Sequence, residues 1–405
     1  MKSHSKLLFL SLLISWLSAC VSAPDPAELV PTPTARSTSQ PTPTMLLSET
    51  SGPPQTVAVG DARFVPRNIS VGSMAVAAAD FDNDGWQDLV GAGEPQLTIM
   101  RGDGEGELIP SGRVPGGEHP VGFALADLNE DGDVDIVVAN HDTDYLTILI
   151  GDGQGSFQPA PNSPLRIAVL PHPHVVRAED LDADGHVDLI VDHRQAEGLL
   201  ILRGLGDGRF ESPGTLVEVG GDPYRGMAVG DINADGSLDL VTPNPREVGV
   251  LLNAGEEGIA FLPADPVDAE APFAVELGDF NGDGWLDLIA ASDEGSPLVE
   301  LFWGDGRGGF EEADDSPYHF APGGKNIVVG DFNGDGIEDA AVTCYLSSDV
   351  LVLLGGRDAM RMGYIVGGEN PWGMAVTDLN RDGKDDLVIA DDKADRAVVY
   401  LSLNQ

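Results

Sequence analysis

One nonapeptide, Asp-apolar-(Asp/Asn)-x-Asp-Gly-x-x-Asp, occurs seven times and constrains almost everything else about this chain. The copies are DFDNDGWQD from Asp80, DLNEDGDVD from Asp127, DLDADGHVD from Asp180, DINADGSLD from Asp231, DFNGDGWLD from Asp279, DFNGDGIED from Asp331 and DLNRDGKDD from Asp378. Successive starts are 47, 53, 51, 48, 52 and 47 residues apart. Near-equal periods of this length require one supersecondary unit repeated along the chain. A small-residue apolar stretch precedes each loop, such as Met227-Ala228-Val229-Gly230. A β-branched run follows it, such as Ile136-Val137-Val138. A second apolar run comes about ten residues later, as in Leu146 to Ile150, and then a Gly-rich turn such as GDGQGSF at 151–157. Each period therefore reads as four short strands, with no sustained helical periodicity.

Seven four-stranded antiparallel units predict an all-β, seven-bladed β-propeller. The ends predict how the ring closes. The last repeat stops at Val398-Val399-Tyr400-Leu401 without an outer strand, and the missing piece stands at the other end as Val59 to Phe64. The N-terminal strand is therefore expected to complete the last blade. That removes the exposed edges that the rival architecture, an open β-solenoid, would leave.

The loop supplies oxygen donors in the pattern a hard cation needs. Ca²⁺ takes six to eight oxygens, and alternate side chains of a tight loop converge on one point. Positions 1, 3, 5 and 9 offer side-chain oxygens, position 6 is a glycine for the sharp turn, and position 7 offers a carbonyl. Position 7 varies freely (Trp86, Asp133, His186, Ser237, Trp285, Ile337, Lys384), as a carbonyl donor allows, and position 4 is equally unconstrained in sequence. The donors are wrong for Zn²⁺, and Mg²⁺ prefers fewer protein ligands. An EF-hand is excluded because its position-12 Glu is replaced by Gly91, Val138 and Val191 in the first three copies. The net charge of −45, from 67 acidic against 22 basic residues, fits a chain that gathers cations and repels nucleic acid.

With its repeated loop, the chain resembles the FG-GAP/VCBS repeat family, whose best-known members are the integrin α-subunit propellers. The resemblance covers about residues 57–405. It implies up to seven Ca²⁺ ions, each in the hairpin between a blade's first two strands, all on one face. The ligands it implies are Asp80, Asp82, Asp84 and Asp88; Asp127, Asn129, Asp131 and Asp135; Asp180, Asp182, Asp184 and Asp188; Asp231, Asn233, Asp235 and Asp239; Asp279, Asn281, Asp283 and Asp287; Asp331, Asn333, Asp335 and Asp339; and Asp378, Asn380, Asp382 and Asp386. Five copies carry Asn at position 3, which is expected to weaken those sites.

The first twenty residues read as an address. Lys2 and Lys6 precede a short apolar core, and Leu17-Ser18-Ala19-Cys20 resembles the bacterial lipobox, which implies lipidation at Cys20. Residues 21–55 are rich in Pro, Thr and Ser and read as an unfolded tether, leaving 56–405 for the propeller. An exported monomer held by its lipid at the cell envelope, on a periplasmic or extracellular face, is the expectation. Two cysteines, Cys20 and Cys344, are too few for a disulfide framework, and Cys344 is expected to be a small buried residue.

Function is expected on the face opposite the acidic loops. That face gathers the loops before each innermost strand and those after each second strand, among them 116–120, 171–174, 220–226, 367–373 and 140–144. His119, His141, His172, His174 and His193 come from neighbouring repeats, and Tyr224, Arg225, Arg246 and Trp372 could build a platform for a protein or glycan ligand. No nucleophile elbow, phosphate loop or zinc-protease motif occurs. A non-catalytic binding module is therefore the leading expectation. The alternatives are a carbohydrate-active enzyme, such as a polysaccharide lyase, and an envelope assembly scaffold.

Overall fold

The computed structural model describes residues 56–403 except 73, 168–172, 193–197, 220–225, 256–257, 293–297, 320–322, 358 and 395. The leader, the tether and Cys20 lie outside the described residues, as do His172, His193, Tyr224 and Arg225. Seven antiparallel sheets follow one another along the chain, mostly of four strands. Their innermost strands are Val76–Ala79, Pro120–Ala126, Val176–Glu179, Ala228–Gly230, Pro272–Gly278, Gly324–Gly330 and Pro371–Thr377. We number the blades 1 to 7 in this order. In blades 2, 4 and 5 the outer edge is broken into two short pieces that pair with the same third strand.

The ring closes as the chain ends predicted, with one addition. Ala62–Ile69 pairs with the final strand Arg396–Ser402, from Phe64 against Ser402 to Ile69 against Ala397. The Gly60-Asp61 turn does not link the third and fourth strands of that blade. It closes a separate hairpin in which Val57–Val59 forms a fifth, outermost strand. A two-residue turn between Val59 and Ala62 favours positive φ, and Gly60 supplies it at 56°. Phe64 is fully buried, with its ring 6.1 Å from both Phe332 and Tyr400.

Packing shows the same closure independently of strand pairing. The buried apolar residues form seven clusters, and each lies between two adjacent blades. One of them joins blade 7 to blade 1, through Leu379, Val388 and Leu401 against Val76, Leu89 and Met100. An open solenoid would lack that seventh core. The apolar residue at position 2 of every acidic loop enters one of these cores: Phe81, Leu128, Leu181, Ile232, Phe280, Phe332 and Leu379. Each loop is thereby fastened to the seam between its own blade and the next. Small residues serve the centre, where inner strands crowd. A Cβ on Gly122 would lie 2.5 Å from the carbonyl oxygen of His174 in the neighbouring blade. Cys344 is fully buried in the core between blades 5 and 6.

Candidate functional site: acidic loops and the opposite concavity

All seven acidic loops fold alike. The N–H of the position-6 glycine donates to the position-1 carboxylate over 2.8–3.0 Å. The N–H of position 7 donates to the position-5 carboxylate over 2.8–3.1 Å. These turns fold the chain back so that positions 1, 3 and 5 face inward. The position-6 glycines take φ between 81° and 92°, where a Cβ is strained. Position 4 is also left-handed in every copy: Asn83, Glu130, Ala183, Ala234, Gly282, Gly334 and Arg381. The sequence left position 4 looking unconstrained because its constraint falls on the backbone, and only three of the seven residues are Gly or Asn.

The position-9 aspartate does structural work as well. One of its oxygens accepts the N–H of position 2 at 2.9–3.2 Å. The other accepts an N–H from the end of the third strand at 2.6–2.9 Å. It thus staples the loop to the body of its blade. Burial pushes these carboxyls upward, Asp88, Asp135 and Asp188 to about 6, Asp287 and Asp386 to about 7, and Asp339 to about 8. Asp239 is raised for the same reason. The two backbone N–H groups pull the other way, and the neighbouring loop carboxylates add to the rise.

Several donors are positioned for a cation. Asp80, Asp82 and Asp88 bring one oxygen each within 4.8 Å of one another, and so do Asp180, Asp182 and Asp188. Asp80 Oδ1, Asp182 Oδ1 and Asn281 Oδ1 are buried and accept no hydrogen bond. An acceptor taken from water and given no donor costs free energy, which a bound cation would offset. Blades 1 and 3, the two with Asp at position 3, share a further feature. Arg101 reaches Asp82 at 2.7 Å and Asp84 at 2.6 Å, and Arg203 reaches Asp182 at 2.5 Å and Asp184 at 3.0 Å. In the other blades the same place, one residue before the third-strand donor, holds Ile150, Leu252, Trp303, Leu354 or Leu401. The extra negative charge at position 3 is matched by a guanidinium in both blades, so positions 1, 3, 5 and 9 counted with that arginine carry the same formal charge in all seven.

Neighbouring loops are also linked around the ring. Asn83 donates to Asp133 at 2.7 Å, Glu338 accepts the Asp279 N–H at 2.6 Å, and Asp385 accepts the Asp331 N–H at 2.9 Å. His186 meets Glu130, and the Arg381 guanidinium lies 3.8 Å from the centre of the Trp86 ring. Several of these side chains occupy the variable positions 4, 7 and 8 of the loop, which hold lateral contacts specific to each pair of blades.

The opposite end of the inner strands opens into a concavity of about 560 Å³. Blades 1, 2, 3, 5, 6 and 7 all line it. His119, His141, His174 and Trp372 stand on its wall, together with Phe273, Lys325, Tyr345 and Asp392, which sequence reading did not single out. Arg246 is exposed and does not line it. Lys325 Nζ sits 4.2 Å from the centre of the Phe273 ring and 6.0 Å from that of Trp372. Trp372 and Tyr345 meet edge to face at 5.1 Å, and the Tyr345 hydroxyl donates to Asp392 at 3.1 Å. Burial, then the Asp392 carboxylate, raises the Tyr345 phenol above its ordinary range.

One local irregularity aims this set. Inner strands 2, 5, 6 and 7 each shift register near their first residues, between Pro120 and Gly122, Pro272 and Ala274, Gly324 and Ile327, and Pro371 and Met374. Val121, Phe273, Lys325 and Trp372 lie in these bulges, where an extra residue turns a side chain out of the pleat. Aligning the repeats on their strand-opening Pro or Gly would have placed these four residues in one column. Below the concavity the channel between inner strands, about 520 Å³, carries an ion pair of Arg177 with Glu276 at 2.7 Å.

The model of the FG-GAP-like repeat matches residues 80–138, 127–191, 180–242 and 279–342, more than half of the chain. The protein belongs to the FG-GAP repeat family. Among curated proteins none matches the sequence. Solved propellers share its fold at low identity. A lectin of Agrocybe aegerita that recognises non-reducing terminal N-acetylglucosamine superposes with a TM-score of 0.53 at 20% identity, over 78% of this chain and 88% of the lectin. The BBS1N chain, solved in complex with ARL6DN, gives a TM-score of 0.55 at 14% identity, over 82% of this chain and 93% of that one.

Proposed function

We propose that this protein is a lipid-anchored, Ca²⁺-binding propeller of the bacterial cell envelope that holds a glycan in the concavity opposite its acidic loops. The observation that carries the glycan reading is the lining of that concavity. Trp372, Phe273 and Tyr345 offer apolar ring faces and edges, while Lys325, Asp392 and the histidines offer hydrogen bonds and charge around them. A pyranose ring has the matching character, an apolar C–H face with hydroxyls at its rim, and aromatic side chains supply large contact area at low entropic cost. The Agrocybe aegerita lectin lends support, since it uses a related fold to recognise a terminal sugar.

Ca²⁺ serves structure in this reading. It would sit among positions 1, 3, 5 and 9 of each loop, neutralising carboxylates and holding the hairpins against the seams between blades. Rigid hairpins on one face fix the inner strands whose other ends carry the ligand site.

A glycan array with the purified protein in Ca²⁺ buffer tests the ligand. Binding to at least one glycan class is expected, and Trp372→Ala should weaken it by roughly tenfold or more without lowering thermal stability. An array blank for the intact protein, or binding that Trp372→Ala leaves unchanged, would remove the glycan reading. The anchor is tested apart from the ligand, by fractionating bacteria that express the protein. It should sediment with membranes, and Cys20→Ser should release it to the soluble fraction. Equal membrane association of both forms would exclude lipidation at Cys20.

A further inference from the structure

We propose that His119, His141 and Asp142 form a second kind of metal site, for Zn²⁺, on the rim of the concavity. One donor atom of each lies within 4.8 Å of the other two. His141 Nδ1 is 3.1 Å from Asp142 Oδ2, and His119 Nδ1 is 3.8 Å from the same oxygen. Ligands held at roughly 2.0–2.2 Å from a tetrahedral Zn²⁺ are about 3.3–3.6 Å apart, so both distances to Asp142 are within about 0.5 Å of that spacing. Two imidazoles and one carboxylate suit Zn²⁺ and are a poor set for Ca²⁺, which asks for oxygen alone. The donor chemistry thus separates this site from the acidic loops on the other face.

The backbone here is built to hold the three residues together. The loops ending at His119 and beginning at His141 flank one strand pair of blade 2, and the His141 N–H donates to the His119 carbonyl at 2.8 Å. His119 and Asp142 both take positive φ, 47° and 60°. The Asn140 amide donates to the carbonyls of Gly116 and Glu118 at 2.8 and 3.0 Å, pinning the first loop to the second.

The surroundings supply what ligand histidines use. Glu94 of blade 1 lies 3.2 Å from Nε2 of His119, on the side away from Asp142. A carboxylate there fixes the ring's tautomer and makes it a better donor. On the other flank the His141 ring packs against His174 at 4.6 Å between centroids. Three protein ligands leave a fourth position, and both histidines line the concavity. A bound Zn²⁺ would therefore present an open position to whatever occupies that space, such as a hydroxyl or carboxylate of the ligand.

Untagged protein in saturating Ca²⁺ is titrated with Zn²⁺ by calorimetry and with Co²⁺ by visible absorption. One Zn²⁺ is expected to bind despite the Ca²⁺, and Co²⁺ should give a d–d band that Zn²⁺ abolishes. Glu94→Gln should weaken Zn²⁺ by about tenfold, and His119→Gln or His141→Gln by more than the roughly 100-fold upper range for losing an outer partner. Unfolding temperatures in Ca²⁺ confirm that each variant is folded. Asp80→Asn, on the far face, should leave Zn²⁺ affinity unchanged. The assignment is overturned if no Zn²⁺ binds once Ca²⁺ is saturating. It is equally overturned if the His119→Gln/His141→Gln protein keeps full affinity. Neither result bears on glycan recognition, which the array reads separately.

Discussion

Adding Ca²⁺ to the metal-free protein should raise its unfolding temperature by about 10–25 °C, with Mg²⁺ producing much less. A ligand at a hundredfold excess over its Kd stabilises the native state by about 2.7 kcal/mol per site. Unfolding entropy is about 2.1 cal/mol/K per residue, so a propeller of this size shifts by a little over 1 °C for each kcal/mol. Occupation of between half and all of the loops gives the stated range. Differential scanning calorimetry in EDTA, then in stepped Ca²⁺ and in Mg²⁺, measures it. An unfolding temperature that ignores EDTA and Ca²⁺ would reduce the loops to turns. The arginines predict a finer pattern within the same titration. Arg101 and Arg203 already neutralise part of the blade-1 and blade-3 loops. Arg101→Leu with Arg203→Leu should lower stability in EDTA only slightly, since solvent reaches both guanidinium groups and screens their pairs. The same change should enlarge the gain from Ca²⁺, because four carboxylates then await one ion.

Much of this molecule can be read from the spacing of one motif, for a physical reason. A loop that must turn sharply and keep its carboxylates converged tolerates few residues at positions 1, 5, 6 and 9, so its copies stay recognisable while the strands between them drift. Number of blades, strand order and closure all follow from counting the loops and noticing that the last period lacks an outer strand. The extra N-terminal hairpin was not legible. Val57–Val59 is a short strand placed by a two-residue turn, and Gly60-Asp61 mimics the longer turns between third and fourth strands. The acidic loops reveal their donors but hide two other roles. The double backbone staple at position 9 depends on a strand end 14 to 17 residues away, and the left-handed position 4 leaves almost no trace in side-chain type. The concavity was legible only in its histidines and Trp372. Phe273, Lys325 and Tyr345 belong to separate blades, and nothing local marks them; their common feature is a bulge at the start of an inner strand or a place just after the second strand. Arg246, put in the platform by its place in the loop after a second strand and by its residue type, lies outside the concavity.

Removing a position-9 carboxylate, which is both ligand and staple, should cost more in EDTA than removing any of the other three ligands of its loop. Asp339 is fully buried, and its two oxygens accept the N–H groups of Phe332 at 2.9 Å and Gly355 at 2.8 Å. Phe332 carries its ring into the core between blades 6 and 7, against Phe64. Asp339→Ala would leave both N–H groups buried and without acceptors, each costing about 1–3 kcal/mol, so a loss of about 2–6 kcal/mol is expected even in EDTA. Asp335→Ala, which removes an exposed position-5 carboxylate from the same loop, should cost less in EDTA and show its effect chiefly as a smaller Ca²⁺ response. Equal effects of the two substitutions in EDTA would show that the staple carries no special weight. The sign of the pH dependence offers an independent check. Burial raises the Asp339 carboxyl to about 8 in the metal-free fold, above its unfolded value. The stabilisation tied to its protonated form is complete below the unfolded value and is lost as pH rises through about 8. Metal-free protein should therefore gain stability as pH falls from 8 toward 5, whereas the Ca²⁺-loaded protein, whose ligands must be deprotonated, should lose it. Urea unfolding at several pH values, with EDTA or with Ca²⁺, distinguishes the two slopes, and parallel slopes would show that the buried carboxylates do not govern the response.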